Sequence, residues 1–364
     1  MSGTGPVMTG DAVPASTHAG LLAHASHDDA WIGGRYRSLF TVGRGGMGTV
    51  EAALDLGEGG VERVVALKRM LPRGAGDPRH REMFLREAQL AAWLAHPNVV
   101  RAFAFGEIAG EMFLAMEYVE GEPLSRVLSV VRERGEWFAP ALIAHVLAQV
   151  CDGLHAAHEL CDPGGHPLRV VHRDVSPHNV MIAYAGQAKI LDFGVAKFDV
   201  GAGGHQTRTG EVKGKMAYMS PEQALGEPLD RRTDLFSVGA ILFECVAGHR
   251  MWGTGTDLDV MRKLALEDPP RLDATGLDVP GPLVDLHARL VARDRERRPA
   301  TARDVAEQLR SIARDAETNA DTGAVGDLMT RLFGVAAEET RARLAEARTR
   351  EAPAGSESRG RTFI

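Results

Sequence analysis

The sequence predicts an α+β protein with two lobes, the first rich in strands and the second rich in helices. Three observations predict this class. Short apolar runs alternate with Gly-rich turns from Tyr36 to Leu71, and one segment with helical spacing of apolar residues follows. Long apolar helical segments then dominate after a Gly-Glu-Pro connector at 121–123. Strands and helices are therefore largely segregated along the chain, unlike the regular alternation of an α/β fold.

The composition bounds the size and class of the protein. The length of 364 residues predicts about two domains. The residues are 44% hydrophobic and 25% charged, which is enough apolar material for a sizeable core and excludes a wholly disordered chain. The net charge is −7, so neither a nucleic acid nor a membrane surface is predicted as a partner. Only six of the 42 basic residues are lysines, so we expect the lysines to mark places where arginine would not serve.

Targeting and redox features favour the cytoplasm. The N-terminus lacks the charged and apolar regions of a signal peptide, and no run of ~18 apolar residues could cross a membrane. The three cysteines show no Cys-x-x-Cys spacing, which argues against a disulfide framework or a zinc site.

The first block begins after residues 1–30, which lack periodicity and are predicted to be a flexible leader. From Tyr36 to Leu71 we expect three antiparallel strands joined by two hairpins. Residues 77–95 have the apolar spacing of a helix, which His-Pro-Asn at 96–98 ends. Two further strands are predicted at 99–107 and 112–120.

The second block consists mainly of helices. Segments 140–160 and 232–248 are apolar enough to be buried helices, and 260–268, 282–294 and 301–315 read as amphipathic helices near the surface. The tail, 313–364, carries one amphipathic helix with Leu328, Leu332 and Val335 at helical spacing. We expect this helix to cap the second lobe, although it could instead serve a partner. Residues 352–364 are predicted to be disordered.

Two signals suggest a phosphate-binding site. Gly43, Gly45 and Gly48 permit a tight turn and close backbone approach to phosphates, and their place between two strands argues against a dinucleotide-binding fold. Lys68 ends a strand in a chain that hardly uses lysine, and a phosphate-binding lysine needs a counter-charge. The candidate for this counter-charge is Glu87, on the one helix of this block, although without other evidence a solvated glutamate would be the favoured interpretation.

A third signal is more specific. His172-Arg173-Asp174-Val175-Ser176-Pro177-His178-Asn179 is followed by Asp192-Phe193-Gly194. With the Gly-rich loop and Lys68, these motifs occur in the order and spacing of the protein kinase superfamily, and the chain resembles bacterial eukaryotic-like (Hanks-type) serine/threonine kinases over about 31–312. The resemblance implies a bilobal kinase fold with an N-lobe at 31–118, a hinge at 117–122 and a C-lobe at 123–312.

The resemblance also implies roles for individual residues. Asp174 would accept the proton of the substrate hydroxyl, Lys68 would contact the ATP phosphates and pair with Glu87, and Asn179 and Asp192 would hold Mg²⁺, with Mn²⁺ as a substitute. The ATP site would comprise Val42, Gly43, Gly45, Gly46, Gly48, Val50, Ala66, Lys68, Met116, Glu117, Val119 and Met181.

Further residues would regulate or support the site. Arg173 beside the catalytic aspartate implies a phosphorylated partner, for which Thr207 and Thr209 are the candidates, unless they are ordinary loop threonines. By the same resemblance, Glu222 would pair with Arg298. Asp234 would support the catalytic loop.

The sequence departs from the family pattern at two positions. Ser176 stands where most relatives have a catalytic-loop lysine, and Lys215 stands where they have a threonine. We hypothesise that Lys215 reaches into the site and replaces the missing cation. The alternative is that Lys215 points to solvent and the cation is absent.

The function implied is an ATP-dependent serine/threonine protein kinase activated by autophosphorylation of its activation loop. The alternative is a catalytically weak kinase fold that acts as a signalling scaffold or nucleotide sensor. A small-molecule kinase and a tyrosine kinase are less favoured, because the segment around Ser220-Pro221-Glu222 resembles the serine/threonine relatives. The expected partners are protein substrates, a second copy of the chain for autophosphorylation, and an unidentified partner for the tail.

Overall fold

The computed structural model describes residues 31–45, 48–57, 62–70, 78–108, 110–192, 215–253, 255–316, 319–349 and 361–363. The leader, Gly46, Thr207 and Thr209 lie outside these ranges. Lys215 is described by its backbone alone.

The N-lobe is built on an antiparallel sheet. Its strands are β1 (Trp31–Ile32), β2 (Tyr36–Gly45), β3 (Gly48–Leu56), β4 (Glu62–Met70), β5 (Ala102–Ile108) and β6 (Glu111–Glu117). They lie in the order β1-β2-β3-β4-β6-β5. The three predicted strands with two hairpins and the two later strands are confirmed. The predicted helix is α1 (Pro78–Trp93), which lies between β4 and β5 in sequence.

The two faces of this sheet have different coverings. One face carries a compact core in which Tyr36, Val65, Leu67 and Phe113 are almost completely buried. Alternate residues of a strand point to opposite faces, so Ala66 and Lys68 face the other side. There α1 covers the region of β6 through Phe84.

The C-lobe contains most of the helices. It comprises β7 (Gly121–Pro123), α2 (Leu124–Glu133), α3 (Pro140–His158), β8 (Val180–Ala183), β9 (Ala188–Ile190), α4 (Pro221–Leu225), α5 (Arg232–Ala247), α6 (Asp257–Leu266), α7 (Gly281–Leu290) and α8 (Ala302–Asp315). The short strands form a second sheet in the order β7-β8-β9. The α+β fold with a strand-rich and a helix-rich lobe is therefore confirmed.

The central helices of the C-lobe are α3 and α5, as their apolar composition predicts. Every residue of α5 from Thr233 to Ala247 is buried, and the helix ends at Gly248 in the left-handed conformation that glycine adopts most readily. The amphipathic α6, α7 and α8 surround them. Among the described residues, no helix is both long enough and apolar enough to cross a bilayer.

The tail forms a long helix, α9 (Thr322–Thr349), whose buried face includes two of the three predicted residues, Leu328 and Leu332. Val335 is 73% exposed, so its predicted place on the buried face is wrong. Val325, Met329 and Phe333 are buried instead, together with Leu328 and Leu332. Several apolar residues lie on more than one side of this helix, so spacing alone does not select the face that a tertiary contact buries.

Three residues near the end of the tail form a strand where disorder was predicted. Residues Arg361–Phe363 form strand β10, which pairs antiparallel with Phe105–Glu107 of β5. An edge strand offers unpaired backbone groups to any extended segment. The free edge of β5 exists only in the folded sheet, so the polar composition of 352–364 could not predict this pairing.

Candidate active site

The strand lysine and the helix glutamate meet between the lobes. The Lys68 Nζ lies 2.7 Å from Glu87 Oε1 and 3.1 Å from Asp192 Oδ2. Burial alone would lower the pKa of Lys68, but the carboxylates of Asp192 and Glu87 outweigh it and raise this pKa. Lys68 is therefore held as an ammonium ion between two anions. This ion cluster connects β4, α1 and the segment after β9.

The catalytic loop brings Asp174 and Asn179 together. The amide Nδ2 of Asn179 donates to the Asp174 backbone carbonyl at 2.7 Å and to its carboxylate Oδ2 at 2.9 Å. Both partners only accept hydrogen bonds, so the NH₂ group of Asn179 must face them. The Asn179 side-chain oxygen is thereby left for a positively charged ligand.

The backbone is strained at two of the predicted site residues. Arg173 has φ +66° and Asp192 has φ +36°, in the left-handed region that non-glycine residues seldom adopt. The buried His172 side chain donates to the Leu191 carbonyl at 3.0 Å and so links the two segments. Strain of this kind persists where surrounding contacts over-determine the backbone, and it concentrates at active sites.

The buried Asp234 at the start of α5 supplies those contacts. Its carboxylate accepts backbone N–H groups of His172 and Arg173, each at 2.8 Å. The imidazole of His158 on α3 donates to the same carboxylate at 2.8 Å. Burial would raise the pKa of Asp234, but the hydrogen bond from His158 and the backbone donors hold it below its usual value. Asp234 is thus an anion that fixes the catalytic loop. The sequence did not identify His158 as a site residue, because a histidine on an apolar helix gives no local signal.

An apolar slot lies beside the ion cluster on the same face of the N-lobe sheet. Val50 pairs directly with Lys68, and Ala66 pairs directly with Met116. Direct antiparallel partners share a face, so these four side chains are neighbours. All four are only half-buried. Met181 of β8, in the C-lobe, is also half-buried.

The Gly-rich hairpin lies beside this slot at the tip of β2 and β3. Gly43 pairs with Val50 and Gly45 with Gly48, while Val42 is 54% exposed. A Cβ on Gly43 would meet no atom within 4 Å. A Cβ on Gly48 would lie 1.9 Å from the Arg69 carbonyl oxygen, so this glycine is required by the neighbouring strand itself.

The hinge follows β6. The backbone N–H of Glu117 donates to the Arg101 carbonyl at 2.8 Å, and its carboxylate accepts the buried Lys189 of β9 at 2.8 Å. This ion pair joins the end of the N-lobe sheet to the C-lobe, and nothing in the sequence pattern had linked the two residues. Val119, two residues farther on, is half-buried.

The segment that ends in Ser-Pro-Glu is tied to the lobe by buried polar contacts. Arg298 donates to both oxygens of Glu222, at 2.6 and 2.9 Å. Ser220 caps α4 reciprocally with Gln223, whose Nε2 also donates to the Arg173 carbonyl at 2.8 Å. The Ser-x-x-Gln spacing is a capping-box signature, so Gln223 could have been found from the sequence.

Of the two departures from the family pattern, the structure describes the side chain of Ser176 but only the backbone of Lys215. Ser176 is buried, and its hydroxyl has no hydrogen-bond partner within the described ranges. Lys215 begins a 3₁₀ turn that ends at Tyr218. The position of its ammonium group is outside the described part of the chain, as are Thr207 and Thr209.

The residues present fit a divalent cation. Asp192 offers a carboxylate that is partly exposed, and Asn179 offers an amide oxygen by the argument above. Hard cations such as Mg²⁺ prefer oxygen ligands of this kind and usually take few of them from the protein. Two such ligands near a half-buried lysine are the arrangement that phosphoryl transfer requires.

The family comparison places this geometry in a known class. Residues 36–309 match the family model described as "Protein kinase domain". This match covers most of the chain, so the chain belongs to the protein kinase domain family, whose members use ATP and a divalent metal ion.

Curated relatives are bacterial kinases. The tyrosine-protein kinase MasK of Myxococcus xanthus is 36% identical over 329 residues, which is 90% of this chain and 50% of MasK. The probable serine/threonine-protein kinase PknB of Corynebacterium glutamicum is 35% identical, over 79% of this chain and 44% of the relative. The serine/threonine-protein kinase PksC of Streptomyces coelicolor is 37% identical, over 77% and 49% respectively. The chain therefore spans about half the length of these relatives.

A solved structure supports the fold. The PknI kinase domain of Mycobacterium tuberculosis superposes with a TM-score of 0.57 at 23% identity, over 79% of this chain and 99% of that one.

Proposed function

We propose that the chain is a serine/threonine protein kinase that transfers the γ-phosphate of Mg·ATP to hydroxyl groups of proteins. The observation that carries the proposal is the ion cluster of Lys68, Glu87 and Asp192 in the cleft between the lobes. The hydrogen-bonded pair of Asp174 and Asn179 on the predicted catalytic loop is a second observation in its favour.

The residues would divide the reaction between them. Asp174 accepts the proton of the substrate hydroxyl as its oxygen attacks the γ-phosphorus, and the bond from that phosphorus to the ADP oxygen breaks. Lys68 holds the phosphates, and Glu87 keeps its ammonium in place. Asn179 and Asp192 would hold Mg²⁺, which would neutralise phosphate charge, and Mn²⁺ would suit the same oxygen ligands.

The nucleotide base would occupy the apolar slot. Val50, Ala66 and Met181 would contact the ring, with Met116 at its inner end. The Glu117 carbonyl and the Val119 backbone would meet the polar edge of adenine. The Gly-rich hairpin, with Val42, Gly43, Gly45, Gly46 and Gly48, would cover the phosphates. The half-burial of the slot residues and the open space at Gly43 support this assignment.

Activation would use the segment between Asp192 and Lys215. Phosphate on Thr207 or Thr209 would pair with Arg173, whose Nε is buried and has no hydrogen-bond partner among the described residues. The Gln223 bond to the Arg173 carbonyl already links the end of that segment to the catalytic loop. Autophosphorylation between two copies of the chain in the cytoplasm would then set the active state, and the tail would have a separate partner.

The test is incorporation of labelled phosphate from Mg·ATP into the purified chain and a generic protein substrate, with Asp174→Asn as the control. We expect phosphoserine and phosphothreonine from the wild type, with phosphopeptides at Thr207 or Thr209, and essentially none from the variant. Phosphotyrosine would instead place the chain with MasK, the relative that is named a tyrosine-protein kinase. Nucleotide binding without any incorporation would mean a signalling scaffold or nucleotide sensor.

A further inference from the structure

The helix α9 lies beyond residue 309, where the family match ends, and the catalytic machinery described above does not use it. It nevertheless contacts both lobes. Five of its apolar residues belong to the main C-lobe core, and Leu344 belongs to an N-lobe cluster. A single rigid element that is anchored in both lobes constrains how far they can open.

The C-lobe end of α9 is a tight backbone joint. Gly186, in the turn between β8 and β9, has φ +89°, and a Cβ there would lie 1.9 Å from the Thr322 carbonyl oxygen. A Cβ on Gly326 would lie 3.3 Å from the Ala185 carbonyl. Arg134, which follows the last residue of α2, donates to the Leu332 carbonyl at 3.1 Å. Glycines on both sides let the two backbones touch, so the helix is seated in one position.

The middle of α9 passes the hinge. Arg341 Nε lies 3.1 Å from Glu120 Oε2, and both side chains are about half exposed. An exposed pair of this kind adds little stability. It shows instead that α9 follows the hinge closely between its two anchors.

The N-lobe end of α9 covers part of the face that carries the apolar slot. Ala52 and Leu54 follow Val50 at two-residue intervals on β3, so all three share that face. Ala52 and Leu54 are buried in a cluster with Leu344, whereas Val50 and Ala66 stay half-buried. The slot therefore lies between α1 on one side and α9 on the other.

Two polar contacts fix this end. The buried Arg37 donates to the Ala347 carbonyl at 2.6 Å, and the Arg343 guanidinium lies over the Phe40 ring at 4.3 Å from its centroid. Both contacts join the last turns of α9 to β2, the strand that leads into the Gly-rich hairpin.

We propose that α9 is a strut across the hinge, and that Leu344 is a positioning residue for nucleotide binding because it holds the N-lobe over the C-lobe at a fixed opening. The effect on nucleotide rests on the proposed function, whereas the strut itself does not. If freeing the N-lobe reduces the binding-competent arrangement to roughly a fifth of the population, the dissociation constant for nucleotide rises about fivefold.

The test compares Leu344→Ser with Val335→Ser, the same kind of truncation on the exposed face of the same helix. Spin labels at Glu62→Cys and Leu266→Cys, in a Cys161→Ser background, report the distance between the lobes. Cys151 and Cys245 are buried and should not react. A non-hydrolysable ATP analogue with Mg²⁺ reports nucleotide affinity.

We expect Leu344→Ser to broaden the distance distribution and to weaken the analogue about fivefold, Val335→Ser to match the wild type, and Leu344→Met to restore both readouts. A Leu344→Ser protein that folds but keeps the control's distribution and affinity would overturn the proposal. If that variant does not fold, Leu344→Ala replaces it with the same two outcomes. A wild type that binds no analogue would refute the proposed function, and the distance distribution would still decide on the strut.

Discussion

The Arg298 guanidinium and the Glu222 carboxylate form a fully enclosed bidentate pair, with side chains 0% and 4% exposed. Burial would raise the pKa of Glu222, but the hydrogen bonds from Arg298 lower it below the usual value. Thr233 Oγ1 also donates to Glu222, and Arg298 donates to the carbonyls of Ala292 and Arg232. The pair thereby connects the start of α4 to α5 and to the loop before α8.

Removing one partner of this pair should be strongly destabilising. In Arg298→Met, the Glu222 carboxylate is left buried without its cation, and losses of about 3–5 kcal/mol are typical when a buried pair is broken. Urea unfolding followed by circular dichroism measures the change. The control is Arg271→Met, which breaks an exposed pair with Asp273 and should change little.

Removing both charges separates their attraction from the cost of burying them. Glu222→Leu combined with Arg298→Met should recover part of the loss, because no uncompensated charge remains. A double variant less stable than Arg298→Met alone would contradict this explanation.

Asp234 should be required for turnover rather than for nucleotide binding. Asp234→Asn weakens the contacts that hold the His172 and Arg173 backbone, which shifts Asp174 while leaving the N-lobe slot untouched. A misplacement of about 1 Å can cost 10²-fold in rate, so we expect kcat to fall at least tenfold with KM for ATP within about twofold. Steady-state kinetics against ATP measure both.

Asp285→Asn, on the exposed face of α7, is the matched control. Equal losses in kcat for both variants would indicate a general loss of stability. A rise in KM alone for Asp234→Asn would show that Asp234 acts on nucleotide instead.

The buried His287 should make stability depend on pH in mild acid. It is completely enclosed on α7 beside Phe243, and neither ring nitrogen has a hydrogen-bond partner in the described ranges. Burial lowers the pKa of His287 to about 4. In the unfolded chain, His287 binds a proton near pH 6.5. The neutral buried imidazole therefore makes its full contribution to the free energy of unfolding above that pH, and this contribution is lost between about pH 6.5 and 4. The loss can reach about 3 kcal/mol.

Unfolding free energies at pH 7, 6, 5 and 4 measure this dependence. His287→Leu should flatten the slope over that window, whereas His166→Leu should not, because His166 is exposed. Parallel pH profiles for wild type and His287→Leu would rule out the assignment.

How far the sequence predicts the site depends on how local each relationship is. The Gly-rich hairpin, Lys68 and the catalytic loop are recognisable because each motif is contiguous and their order is that of a known family. The pair of Lys189 with Glu117 spans 72 residues, and the contact of His158 with Asp234 spans 76. No spacing rule connects such residues, so only the folded chain reveals them.

The same reasoning applies to the fold. Strand and helix periodicity predicted both lobes, because burial on one face produces a period that a single segment displays. The tail helix was predicted as well, but its apolar face was taken to contain Leu328, Leu332 and Val335, whereas Phe333 is buried and Val335 is exposed. That face depends on two partners, the C-lobe core and the cluster around Leu344, which lie far apart in the sequence.

Substitution of Lys215 tests whether this residue supplies the cation that the catalytic loop lacks at Ser176. If its ammonium group replaces the missing catalytic-loop cation, Lys215→Ala removes a charge used in the transition state, and kcat at saturating ATP should fall by about tenfold or more. Lys263→Ala is the matched control, since Lys263 on α6 donates to the Trp252 carbonyl.

Lys215→Arg shows whether a larger cation is tolerated. The double variant Ser176→Lys with Lys215→Thr restores the family arrangement and should regain activity relative to Lys215→Ala. A loss of less than a few-fold in Lys215→Ala would mean that Lys215 points to solvent and that the site works without the cation.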